Sequence, residues 1–250
     1  PVSAVLSMGG LAQVVPIERV ISPGGLAIEA ALSDGAPERR TLILSGRRQQ
    51  LFAYIRPPGA QHGTLSVFDL QDRSWRELSL GGVLPRHVIA ATYRAEEDSL
   101  YLLESHPYPG ETQGKGKGIA AGGTSRLLRV GVADLQGEVV ATLHGRGVHK
   151  RILLTNDRKG QLVLSVSGKA ADEPARIALI DVSTSPARVA ASYETPADAL
   201  LAGVPNTLNG GGVVSYAFEL PGGERSLRHI PLSSFIDLDQ PCQPALKGWL

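Results

Sequence analysis

One phrase recurs along this chain: a short apolar strand ending in apolar-Asp-apolar, followed by a polar turn. It reads Val67-Phe68-Asp69-Leu70, Val132-Ala133-Asp134-Leu135, Leu179-Ile180-Asp181-Val182 and Phe235-Ile236-Asp237-Leu238. From Asp to Asp the intervals are 65, 47 and 56 residues. The first interval contains a Gly-rich insertion, residues 107–123, and without it shrinks to about 48. A period near 50 constrains the fold strongly, because a unit of that size cannot bury its faces alone and must stack on its copies. The 29 glycines and 17 prolines separate short runs rich in Val, Ile, Leu, Thr and Tyr, which is strand-and-turn punctuation. Apolar spacing of three and four is almost nowhere sustained over the ~11 residues that a helix needs. The best helix candidate is residues 196–202.

An all-β chain with that period points to a β-propeller of four-stranded antiparallel blades. The expected units are approximately 41–87, 88–151, 152–198 and 199–250, with two further strand candidates, 11–21 and 26–32, in residues 1–40. The reading is a single propeller-like domain over 1–250, of about four to five blades. The ring closes if residues 1–40 complete a blade; otherwise it is incomplete or part of a larger propeller. Each repeated Asp stands just before a turn, where a carboxylate accepts backbone N–H bonds, so the residue is expected to cap that turn and not to ring a ligand.

Residues 64–105 resemble a kelch repeat. The likeness is carried by Phe68-Asp69-Leu70, then Trp75 and Leu78, then Gly82, Pro85 and Arg86, then Leu100-Tyr101. Glu104-Ser105 stands where kelch units usually have a Gly-Gly pair, and no other unit has the Trp. The resemblance implies a disc of radial blades whose faces bind proteins or, less often, small molecules. It implies no specific activity.

Composition narrows the function classes. A formal net charge of +1 leaves no sequence-wide field for nucleic acid. The longest apolar stretches fall far short of the ~18 residues of a membrane span. Cys242 is the sole cysteine, which excludes an internal disulfide and a thiolate metal site. A start at Pro1 implies a processed or excised chain; a secreted, periplasmic or surface location is slightly favoured over a cytoplasmic one.

Local catalytic signatures are missing from the sequence. The loop at residues 110–118 has neither the glycine spacing nor the hydroxyl of a phosphate-binding loop. His144 and His149 match no zinc pattern, and Cys242 has no nucleophile signature around it. No metal and no cofactor are expected.

Propeller topology sorts loops by face. Turns after first and third strands share one face, which receives Arg47, Arg48, residues 94–98, Asp157, Arg158 and Lys159, a ring of mixed charge near the axis. The other face carries the long loops, with His62, His87, His106, Tyr108, Lys115, Lys117, His144 and His149 as candidate binding residues. The reading favoured by repetition without a catalytic signature is a non-catalytic propeller for protein binding or scaffolding, within a larger, bacterial-type surface or multi-component protein. Its partner is then another protein or the rest of a longer chain. The alternative is a propeller hydrolase or lyase using the acidic residues Asp157, Glu96 or Glu97 near the axis, around a divalent cation or without one. A third reading is a structural segment that only spaces other domains.

Overall fold

The computed structural model describes residues 3–8, 11–16, 39–45, 50–56, 60–69, 71–72, 74–86, 88–104, 123–145, 152–156, 161–166, 174–195, 200–201, 206–207, 213–219, 225–246 and 249. The chain divides into two compact units, residues 1–79 and 80–250.

In the first unit, β1 (Ser3–Met8) and β2 (Leu11–Pro16) form an antiparallel hairpin. β3 (Arg39–Ser45), β4 (Gln50–Arg56), β5 (Thr64–Asp69) and β6 (Ser74–Leu78) form an antiparallel sheet whose spatial order equals the chain order. Phe52, Ala53 and Tyr54 are buried in succession on β4. Successive residues of a strand point to opposite sheet faces, so both faces of β4 are covered. On β6 only Leu78 is buried. Burial thus falls from the inside of the sheet outwards.

The second unit repeats the plan. β7 (Gly81–Gly82) is followed by the meander β8 (Val88–Arg94), β9 (Ser99–Glu104), β10 (Gly123–Gly131) and β11 (Gln136–Gly145). A second meander contains β12 (Ile152–Asn156), β13 (Gln161–Val166), β14 (Arg176–Asp181) and β15 (Arg188–Glu194). All six residues of β9 and the last five of β13 are buried. The first strands of the two meanders, β8 and β12, lie side by side. A shared core joins the sheets, with Tyr101, Leu103, Leu127 and Leu143 from one and Leu162, Leu164, Ile180 and Val189 from the other. Consecutive up-and-down sheets packed face to face, with first strands adjacent, are β-propeller blades.

β7 joins the outer edge of β11 in parallel, through Gly81 N–H to Leu135 O at 2.9 Å and Val83 N–H to Gly137 O at 2.8 Å. This close approach requires glycine. Gly82 has φ of +67°, and a Cβ on Gly137 would lie 2.2 Å from Val83 O, a distance no side chain tolerates.

The fourth sheet departs from the repeat. β18 (Val213–Glu219) pairs with β16 (Leu200–Leu201) and β17 (Asn206–Thr207) along one edge and with β19 (Arg225–Pro231) along the other. Leu200 and Leu201 are therefore strand residues, where the helix candidate was placed. A 3₁₀ turn, Leu232–Ser234, then separates β19 from β20 (Ile236–Pro241), which pairs with β15 as a fifth strand of the preceding sheet. Pro231 and the turn redirect the chain, so the fourth copy of the Asp phrase occupies a different structural position from the first three.

Those three Asp residues do cap turns. Asp69 Oδ1 accepts the N–H groups of Gln71 at 2.9 Å and Asp72 at 3.3 Å. Asp134 Oδ1 accepts Gln136 N–H at 3.1 Å, and Asp181 Oδ1 accepts Ser183 N–H at 2.8 Å. The Gln71 N–H, then the Gln50 side-chain amide, hold the Asp69 carboxyl below its ordinary range, since bonds donated to the charged form favour it.

After β20 the short helix α1 (Cys242–Ala245) closes over the shared core with Cys242 and Leu246, both buried. Burial pushes the Cys242 thiol up from 9.0 to about 12, because the thiolate loses solvation. The thiol form is the one the fold favours, so its contribution to stability is complete below about pH 9 and is lost as pH rises toward 12. At pH 8, reaction with a disulfide reagent should be at least about 100-fold slower in the folded protein than in denaturant. Equal rates would place Cys242 in solvent.

Candidate functional site

β8 ends in Tyr93-Arg94, charge and phenol after an apolar run, and the turn 95–98, in which Glu96 is exposed, reverses the chain into β9. Asp98 adopts φ of +50° there, a left-handed conformation that Asp tolerates better than most residues. Tyr93 donates from its hydroxyl to Asp98 Oδ1 at 2.8 Å, and Ser99 Oγ donates to the Glu97 carbonyl at 3.0 Å. These bonds place the Glu97 carboxylate over the end of the blade.

The sheet register brings three other groups to it. Arg129 on β10 stands opposite Tyr101 on β9 and opposite Glu138 on β11. Tyr101 donates to Glu97 Oε2 at 2.5 Å. Arg94 NH1 lies 2.7 Å from Glu97 Oε1, and Arg129 Nε lies 3.8 Å from Oε2. Arg129 NH1 donates to Glu138 Oε1 at 3.0 Å. Glu96, with a side chain 56% exposed, lies 4.0 Å from Arg94 Nε.

The Arg94 side chain is only 8% exposed, and the Glu97 contact is out of line for a hydrogen bond, so its Nε and NH1 are buried without one. A buried guanidinium with unsatisfied N–H groups is costly. Burial, then the bond to Glu97 and its charge, raise the Tyr101 phenol well above its ordinary range, against the opposing effect of Arg94 and Arg129. The phenol therefore stays protonated and remains a donor at neutral pH.

A second charged pair lies at the other end of β9, roughly 17–20 Å away by strand length. Glu104 is 2% exposed and accepts Arg86 N–H at 2.5 Å and Arg126 Nε at 2.7 Å. This geometry ties β10 and the segment before β8 to the end of β9, which is a structural task.

Of the acidic residues named from sequence, Glu96 and Glu97 fall in the first cluster, and Asp157 lies outside the described residues. Of the long-loop candidates, His62 is half-buried ahead of β5, with its Nδ1 buried and making no hydrogen bond. His144 stands on β11 opposite Thr124. His87, His106, Tyr108, Lys115, Lys117 and His149 lie outside the described residues, as do Arg47, Arg48, Arg158 and Lys159. Among the described residues no three His, Cys, Asp or Glu side chains gather as metal ligands, and no helix is long and apolar enough to cross a membrane. Sequence reasoning placed Arg94 in the same charged turn as Glu96 and Glu97 and missed Tyr101, Arg129 and Glu138. Their signal was present as polar residues interrupting apolar strands, but only the register brings them together.

Fold and site together define an all-β chain of propeller blades with a charged cluster at one blade end. No family model matches the chain, and no curated protein matches it. Solved structures do. The β-propeller domain of the Trilobed protease from Pyrococcus furiosus is 10% identical with a TM-score of 0.39, over 76% of this chain and 57% of that one. Prolyl oligopeptidase B from Galerina marginata is 10% identical with a TM-score of 0.46, over 80% and 26%. The periplasmic gluconolactonase of Pseudomonas aeruginosa is 16% identical with a TM-score of 0.44, over 79% and 56%. This chain thus spans from about a quarter to less than three fifths of the solved chains it matches.

The matched structures include β-propellers, and nothing in them is specific to the kelch repeat. The expectation of a non-catalytic binding or scaffolding domain is corrected: the matching chains named above are enzymes or a domain of one. The physical reason is that a propeller can assemble a site from turns far apart in sequence, so the lack of a local catalytic motif never argued against catalysis.

Proposed function

We propose that the chain is a hydrolase or lyase, or the propeller part of one, and that the carboxylates of the 95–98 turn supply its acid–base groups. The observation that carries this reading is the Glu97 cluster, in which two guanidinium groups and a phenol converge on one carboxylate beside the exposed Glu96. A pair of adjacent carboxylates with one in solvent and one charge-paired can divide proton donation from proton acceptance. Arg94 and Arg129 are placed to stabilise negative charge that develops on a substrate.

The test is turnover by the 250-residue chain of a prolyl peptide anilide, an aldonolactone and a polyuronate, repeated with Glu96→Gln and Glu97→Gln. The expected result is turnover of one class and a loss of about 100-fold or more in kcat with Glu96→Gln, with the melting temperature kept. No turnover of any class, or activity surviving both substitutions, overturns the proposal.

A further inference from the structure

We infer that Arg94, Arg129 and the Tyr101 hydroxyl form a recognition site for the carboxylate of a ligand, which Glu97 occupies in the free protein and yields when the ligand binds. The inference takes the ligand to be a substrate of the enzyme proposed above.

Two guanidinium groups and one hydroxyl from three strands, β8, β9 and β10, face one carboxylate that belongs to none of those strands but to the turn 95–98. The strands are anchored by the shared core; Tyr101 is 1% exposed within it. The three groups thus stand on packed strands, whereas the Glu97 side chain extends from a turn and is 26% exposed. Glu97 also fits the set incompletely. It leaves Arg94 Nε and NH1 buried without hydrogen bonds, and Arg129 Nε, 3.8 Å from it, donates instead to Ser99 Oγ at 3.4 Å. A free carboxylate, not tethered to the turn, can face the guanidinium edge in the two-bond geometry that arginine favours. Displacement releases Glu97 beside Glu96, and the acid–base pair is then assembled only when a carboxylate ligand is bound.

Two sources share this chemistry, a peptide C-terminus and a sugar acid. N-acetylglycine and D-glucuronate, each against its neutral methyl ester, are titrated calorimetrically into the 250-residue protein and into Glu97→Gln. One acid should bind, its ester should not, and Glu97→Gln should bind about ten-fold more tightly, because the internal competitor has lost its charge. The acid that binds assigns the source. Arg129→Gln, at a side chain 41% exposed, should keep the fold and weaken binding at least about five-fold; adding Arg94→Gln to Glu97→Gln should abolish it. Equal behaviour of acid and ester, no gain with Glu97→Gln, or binding indifferent to Arg129→Gln overturns the site. Acid binding without turnover removes the enzymatic reading alone. Turnover without preference for acid over ester removes the carboxylate site alone.

Discussion

Removal of residues 236–250 should lower the melting temperature of the 80–250 unit by about 10 °C or more and produce soluble aggregates. Two losses combine. β20 covers the edge of β15 through the pairs Arg188 with Pro241, Val189 with Gln240, Ala191 with Asp237 and Ser192 with Ile236. Without it that edge presents unpaired backbone groups to other chains. The truncation also takes Cys242 and Leu246 out of the core between the two blades, together with Trp249, which packs against that core and lies 5.8 Å from the Arg176 guanidinium. Burying one such apolar side chain contributes about 1.5–3 kcal/mol. Two or three of them approach the ~5–15 kcal/mol that holds a typical domain folded, and for a unit of this size each kcal/mol shifts the midpoint by about 2–4 °C. Thermal unfolding with light scattering checks this. An unchanged midpoint would mean that the tail rests on the core without stabilising it. The ion pair between Arg188 and Asp239 at 2.8 Å is exposed, so its loss contributes little to the effect.

Glu104→Ala should destabilise the same unit by about 3 kcal/mol, with little dependence on salt. Breaking a buried pair costs about 3–5 kcal/mol, because the partner charge is left uncompensated. Arg126 is 25% exposed, and water can solvate part of it, so the lower end applies. The substitution also removes the acceptor of Arg86 N–H, and Arg126 already has a buried NH2 without a hydrogen bond. Glu104→Gln should cost less, since an amide oxygen still accepts one of the two bonds. Denaturant unfolding at low and high salt measures both variants. A large salt dependence, or equal stability of Glu104→Ala and the unsubstituted protein, would show that the pair is solvated.

The strands of the first three blades were legible in the sequence, because short apolar runs between turn residues are a local signal. The Asp caps at 69, 134 and 181 were legible for the same reason, since their partners lie two or three residues on. The fourth unit was not. The sequence of residues 226–238 reads as one strand ending in the repeat phrase, and nothing local shows that Ile236 will pair with Ser192 and not with β19. That choice is a competition between two sheet edges, decided by where the other strands already stand.

The candidate site divides in the same way. Arg94, Glu96 and Glu97 could be named together from a charged turn between apolar strands, whereas Tyr101, Arg129 and Glu138 could not be joined to them. Their convergence depends on register across four strands separated in sequence by the long insertion before β10. The sequence by itself determined an all-β chain of repeating blades, because turn chemistry and apolar patterning act over a few residues. Only the tertiary structure decided where β20 goes and which donors surround Glu97, because non-local pairing follows from the packing of the whole unit and leaves no mark on neighbouring residues.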